Sequence, residues 1–184
     1  MDKWQVSVVT SPARPDLPQQ RIKLEIALVD AHTREPRPLA KHYNFLPAGY
    51  QYTLVMTESM EEIMADILVA FVASSRYIRY RDIWDLVWLG QRGVVNTTEL
   101  VRLKVTAYGL DHYETLLSSR IDEVSSLIDD VKFYAEMRRF VPAEVQERTL
   151  STLKFTRRVE VSLREQLLGL LKSLYGTRGA LFEM

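Results

Sequence analysis

Helical spacing of apolar residues runs almost without a break from residue 59 onward, whereas residues 1–57 carry strand and turn signals. This division constrains the fold more than any other feature. Strands gathered at one end and helices at the other specify an α+β architecture, because a doubly wound α/β sheet needs strands and helices in alternation. The expectation is a small mixed β-sheet followed by an α-helical bundle. Residues 1–57 would be a strand-rich part and 58–184 a helical domain.

Residues 21–29, RIKLEIALV, give the clearest strand. Ile22, Leu24, Ile26 and Leu28 fall on one face by two-residue alternation, and Arg21, Lys23, Glu25 and Ala27 on the other. Residues 4–10, WQVSVVT, form a second strand candidate and 52–56, YTLVM, a short third. The prolines of 11–18 and of 34–38, REPRP, read as connectors. In the helical part, Ser59 followed by Glu62 has the spacing of a capping box, in which the hydroxyl and the carboxylate each satisfy an amide. Ile63, Ile67, Ala70 and Phe71 then recur at helical spacing and are expected to face the core. A second helix is expected over 79–93, closed by Gly93, and a third from Thr97 or Thr98 to Tyr108, ended by Gly109. A long helix is expected over 116–140, a short one starting at Pro142, and a last one over 159–175.

The chain has no cysteine, which removes disulfides and thiolate metal sites. Its N-terminus lacks the apolar stretch of a signal peptide, and the apolar region 69–89 is interrupted by three arginines and two aspartates. A cytoplasmic protein is expected, without a membrane. The formal net charge is zero, so overall charge favours no partner. Locally, residues 76–104 hold six basic side chains against three acidic, and Lys154, Arg157 and Arg158 follow as a second basic run. Either group could meet phosphate, although solvated helix faces account for such runs more often. His32, His42 and His112 are scattered, with no metal-ligand spacing.

Residues 59–76, SMEEIMADILVAFVASSR, and 80–89, YRDIWDLVWL, together resemble a helical signature of the AbiEii/AbiGii-type nucleotidyltransferase toxins of abortive-infection systems. Glu62, Ala65, Asp66, Leu68, Ala70, Arg76, Arg81, Asp82, Ile83, Trp84, Asp85 and Leu86 fit its pattern. The lysine expected after Asp66 is replaced by Ile67, which also falls on the apolar stripe. The resemblance implies a nucleotidyltransferase-like core with a helical bundle behind the active site, acting as the toxin of a type IV toxin–antitoxin system. It implies Mg²⁺ as cofactor, a nucleoside triphosphate and tRNA as partners, and a cognate antitoxin.

The resemblance also implies site residues. Nucleotidyl transfer uses carboxylates to hold divalent metal against the nucleotide phosphates. Glu25, inside Leu24-Glu25-Ile26, would be one such catalytic and metal-holding carboxylate, and Asp82 a second catalytic residue. Arg81, Arg76 and Asp85 would contact nucleotide and phosphate. From the residues alone, Glu25 reads equally as a solvated strand carboxylate, and Arg81–Asp85 as an i,i+4 ion pair with Asp82 capping the helix. The Gly-Ser and Asp-x-Asp motif of the superfamily is absent from the chain. The expectation is therefore a truncated or catalytically inactive toxin homologue, or alternatively a protein- or RNA-interaction module built on the helical half. With strands of the sheet lacking, the edge near residues 21–29 would pair with a second copy, giving a possible homodimer.

Overall fold

The computed structural model describes residues 2–8, 13, 14, 16, 20–26, 29–40, 44–75 and 77–176, with 2–8 and 20–25 described by backbone alone. The class is α+β, strands first and helices after. The chain divides into two compact units, Met1–Asp30 and Ala31–Met184.

In the first unit, β1 (Asp2–Val8) pairs antiparallel with β2 (Gln20–Ile26). The register sets Lys3 opposite Glu25 and Val6 opposite Ile22. The expected strand 21–29 thus begins one residue earlier and is strand through Ile26; residues 27 and 28 lie outside the described set.

The second unit opens with β3 (Glu35–Pro38), antiparallel to β4 (Leu54–Thr57). Residues 34–38 were expected to turn, and the structure corrects this. The Leu39 amide donates to the Thr53 carbonyl at 3.2 Å. Ladder bonds recur at every second residue, so Pro36 and Pro38 occupy positions whose absent N–H would point away from β4. Every strand pairing among the described residues is antiparallel.

Seven helices follow among the described residues: α1 (Met60–Ala73), α2 (Tyr80–Gln91), α3 (Thr98–Ala107), α4 (Tyr113–Asp129), α5 (Val131–Phe140), α6 (Ala143–Arg148) and α7 (Leu153–Tyr175). Gly93 and Gly109, after α2 and α3, have φ of 81° and 62°, which side-chain-bearing residues rarely adopt. α1 packs against α2, α3 and α4, so it is buried on more than one side. Its buried residues are Glu62, Met64, Ala65, Leu68, Val69, Phe71 and Val72, while Ile63 is 38% exposed and Ile67 is half-buried at the margin of the core. The apolar stripe is thus rotated from the one expected on Ile63 and Ile67. In a helix apolar nearly all round, periodicity does not fix the orientation.

The helix expected over 116–140 is two helices. Asp130 is extended (φ −66°, ψ 128°), and its carboxylate accepts from the Lys132 amide at 2.8 Å, capping α5. The Tyr80 hydroxyl donates to the same carboxylate, fixing the break against α2. α7 begins six residues earlier than expected. It lies along α4, with Val159, Leu163, Leu167 and Leu170 buried against the stripe Leu117, Ile121, Val124 and Ile128. No helix among the described residues is long and apolar enough to cross a membrane.

Candidate functional site

Where α1 starts, its polar residues converge on a lysine from α3. Ser59 caps α1 by accepting from the Glu62 amide at 3.2 Å, which is half of the expected capping box. The other half does not form. The Ser59 amide donates instead to the Thr33 hydroxyl at 2.8 Å. The Glu62 carboxylate, released from that duty and completely buried, accepts from the amides of His32 at 2.8 Å and Thr33 at 2.5 Å, and from the Thr33 hydroxyl. The capping sequence thus becomes a clamp on residues 32 and 33, near the start of the second unit.

The same carboxylate pairs with the Lys104 ammonium at 2.7 Å. Lys104 also lies 3.0 Å from Asp66 and 3.2 Å from Glu58. Glu58, Glu62 and Asp66 stand four residues apart, so they align on one face of α1 and its approach. Oxygens from all three lie within 4.8 Å of one another. Burial raises the Glu62 carboxyl, but hydrogen bonds from Lys104, Thr33 and the His32 amide outweigh it and hold it down at about 2. Burial lowers the Lys104 ammonium, and its three carboxylates more than reverse this, raising it above the ordinary lysine value. Glu58 is shifted up, by burial first and then by the charge of Asp66. One lysine therefore does not neutralise three carboxylates.

The predicted residues of α2 fall on a different surface. Asp82 is buried at 2% exposure, and its Oδ2 lies 2.9 Å from both Nε and Nη2 of Arg79. Burial raises its pKa, and the charge of Arg79 partly offsets this. Arg81 pairs with Asp85 at 3.5 Å, with both half-exposed, and its guanidinium lies 5.5 Å from the centre of the Phe140 ring. Burial also raises Asp85, opposed by Arg81. Asp82, Arg81 and Asp85 are thus together, each carboxylate already engaged by an arginine. Arg76 lies outside the described residues, and Glu25 is described by backbone alone in β2. Of the aromatic pair on α2, Trp84 packs 5.6 Å from Phe155, whereas Trp88 is 43% exposed beneath Arg92 at 4.9 Å. Lys154 and Arg157 of the second basic run line an open cavity of about 490 Å³ whose wall also holds Asp129 and Glu160, so its charge is mixed.

Sequence reasoning missed Lys104. A signal was present: Val101, Lys104, Val105 and Tyr108 lie at i, i+3, i+4 and i+7, which sets the lysine within an apolar stripe. A lysine so placed is buried only when acidic partners meet it.

No curated protein and no solved structure matches the chain significantly. A family model described as the nucleotidyl transferase AbiEii toxin of type IV toxin–antitoxin systems matches residues 2–160, which spans both units and the helices through the start of α7. The chain belongs to the AbiEii nucleotidyltransferase toxin family.

Proposed function

We propose that polypeptide 1–184 is a toxin-family member that does not transfer nucleotides by itself. The observation carrying this reading is that the superfamily's paired-carboxylate motif is absent from this polypeptide, and that the described carboxylates best placed to hold metal are already in contact with a lysine or an arginine. The sequence contains no Gly-Ser dipeptide and no Asp-x-Asp. Among the described residues, the acidic cluster with metal-ligand spacing surrounds Lys104, whose ammonium sits within 3.2 Å of all three carboxylates. Asp82 and Asp85 are paired with Arg79 and Arg81.

Mg²⁺ is the metal that the family's chemistry calls for, and it neutralises charge developing on transferred phosphate. The described residues do not fit it: an ion at Glu58, Glu62 and Asp66 would have to displace a buried lysine. Glu25, on β2, remains the proposed metal-holding position of the first unit. Arg76, Arg81 and Asp85 remain the proposed contacts to nucleotide phosphate, with Asp82 the proposed second catalytic position. A nucleoside triphosphate and tRNA are the proposed binding partners by family resemblance, a cognate antitoxin the proposed counterpart, the cytoplasm the proposed compartment and a homodimer the proposed assembly.

The test is incubation of the chain with each labelled nucleoside triphosphate, Mg²⁺ or Mn²⁺, and total tRNA. No labelled product is expected. Metal-dependent labelling that vanishes in Glu25→Gln would overturn the proposal. The exposed Trp88–Arg92 pair supports a second reading, an interaction module, since an indole and a guanidinium stack on bases and anchor interfaces alike. Retention of labelled tRNA by the chain, lost in Trp88→Ala, would favour it for RNA.

A further inference from the structure

We infer that the outer edge of β4 pairs antiparallel with the same edge of a second copy of the chain, joining two β3–β4 ribbons into one sheet. The inference rests on the homodimer proposed for this chain and locates its contact at β4 rather than near residues 21–29.

The two edges of the β3–β4 ribbon are unlike. Backbone groups alternate in direction along a strand. The bond from the Leu39 amide to the Thr53 carbonyl fixes the phase: Val55 and Thr57 turn their backbone groups toward β3, while Leu54 and Met56 turn theirs away. On β3 the outward positions are Pro36 and Pro38, opposite Met56 and Leu54 in the register. Neither proline has an N–H to donate, so that edge cannot complete a new ladder. On β4 the outward positions offer the N–H and C=O of Leu54 and of Met56. Among the described residues these groups have no backbone partner in another strand or loop. Sheet edges are commonly protected by charge or proline. β3 carries both in the sequence EPRP, whereas β4, LVMT, carries neither, and no charged residue stands from Tyr50 to Thr57. Leu54, Val55 and Met56 are 63%, 41% and 59% exposed, so both faces of the strand meet solvent. An isolated two-stranded ribbon is marginal in water, and further strands stabilise it.

A second copy fits this edge through symmetry. A two-fold axis at Val55 sets Leu54 of each copy opposite Met56 of the other, so every outward N–H meets an outward C=O. Val55 then faces Val55 in the closer, non-hydrogen-bonded pair, where side chains pack directly across the strands. Leu54 and Met56 share one face, and the two copies merge theirs into one apolar cluster. No charge opposes another within the join. Met60 and Ile63, exposed at the start of α1 just past the strand, extend the apolar margin. An isologous contact closes on itself, and the prolines of β3 stop growth beyond two copies. The strand is far shorter than the roughly 20–30 residues a side of a standard interface, so the dimer dissociates on dilution.

The experiment uses the full chain. Sedimentation over a range of concentrations should show monomer passing to dimer. Val55→Lys and Val55→Glu should each be monomeric, because like charges directly opposite repel, and their mixture should recover the dimer. Melting curves check that both variants are folded, as expected for an exposed position. Val55→Cys supplies a measurement that adds no charge, in a chain without cysteine. The facing Cα atoms of a non-hydrogen-bonded pair lie about 4.5 Å apart, within disulfide reach. Mild oxidation should give a covalent dimer, and faster than in Leu153→Cys, an exposed control position on α7. If either charged variant is unfolded, the cross-linking rates decide alone. A parent that stays monomeric at every concentration overturns both this inference and the homodimer. A parent dimer that survives Val55→Lys and Val55→Glu, a mixture that fails to recover it, or Val55→Cys oxidising no faster than the control overturns the inference and leaves the homodimer standing.

Discussion

Glu62→Gln tests the clamp with the least change in shape. The parent carboxylate is completely buried and receives four donors: the Lys104 ammonium, the His32 and Thr33 amides and the Thr33 hydroxyl. Glutamine keeps one acceptor oxygen and places an NH₂ group where the second oxygen was. Donors then face donors, and at least one of the buried amides or the ammonium loses its partner. An orphaned buried donor costs about 1–3 kcal/mol, and breaking a buried ion pair about 3–5 kcal/mol. These costs overlap, because Lys104 retains Glu58 and Asp66, so the expected destabilisation is about 3–5 kcal/mol in all. For a chain of this size each kcal/mol lowers the melting temperature by about 2–4 °C, giving a drop of roughly 6–20 °C at pH 7. The pH dependence supplies a second check. Glu62 is held at about 2 in the fold against about 4.3 in an unfolded chain. Its contribution is therefore complete above the unfolded value and is lost as pH falls from there towards 2. Parent and variant should converge across that window in thermal or urea unfolding. A drop below about 2 °C at pH 7, which corresponds to less than about 1 kcal/mol, would refute the reasoning. A gap that stays constant down to pH 2.5 would refute it too.

The remaining predictions concern α1 and α2. Ile67→Lys should cost only about 1–2 kcal/mol, because the position is half-buried and a lysine there can extend its ammonium to solvent; a thermal melt reads this, and no nucleotide labelling should appear. Arg79→Met should destabilise at neutral pH by about 1–3 kcal/mol, less than a fully buried pair because Arg79 is itself 46% exposed. The folded-state pKa of Asp82 is already raised, and losing Arg79 raises it further, so the variant should regain stability relative to the parent as pH falls from 7 towards 4. Adding Asp82→Asn should restore part of the loss at pH 7; urea titrations that show no recovery would mean that Arg79 contributes through packing rather than charge.

What the sequence revealed followed the range of the interactions involved. The helix stops at Gly93 and Gly109 are local devices, and they fall where the glycines stand. The division of α4 from α5 is local too, since Asp130 caps α5 through an amide two residues away. It was obscured by apolar spacing that runs on through Val131 and Ala135, although Asp130 followed by a new apolar run is itself an N-cap pattern. Residues 34–38 were misread because proline argues against strands in general, whereas here β3 presents its prolines away from its one partner. The orientation of α1 was not legible at all: with neighbours on three sides, several apolar stripes are equally consistent with its sequence.

The candidate site exposes the same boundary between local and distant partners. Ser59 and Glu62 looked self-sufficient, and the hydroxyl half of their capping box does form. The carboxylate half was taken by Lys104 and by residues 32 and 33, which lie 29 or more positions away in sequence. Lys104 does not stand in for the lysine that Ile67 replaces. Successive helical residues are turned by about 100°, so position 67 points well round α1 from the face that carries Glu62 and Asp66. A lysine at 67 would reach outward past Ile63, which is 38% exposed, whereas Lys104 is sealed at 2% and directed inward at carboxylates. An ammonium enclosed by three carboxylates repels the approach of a phosphate rather than inviting it, because the local charge sum is negative. Position 67 and Lys104 are therefore unrelated: Ile67 lies half-buried at the margin of the core, whereas Lys104 ties α3 to the same Glu62 that holds residues 32 and 33 to α1.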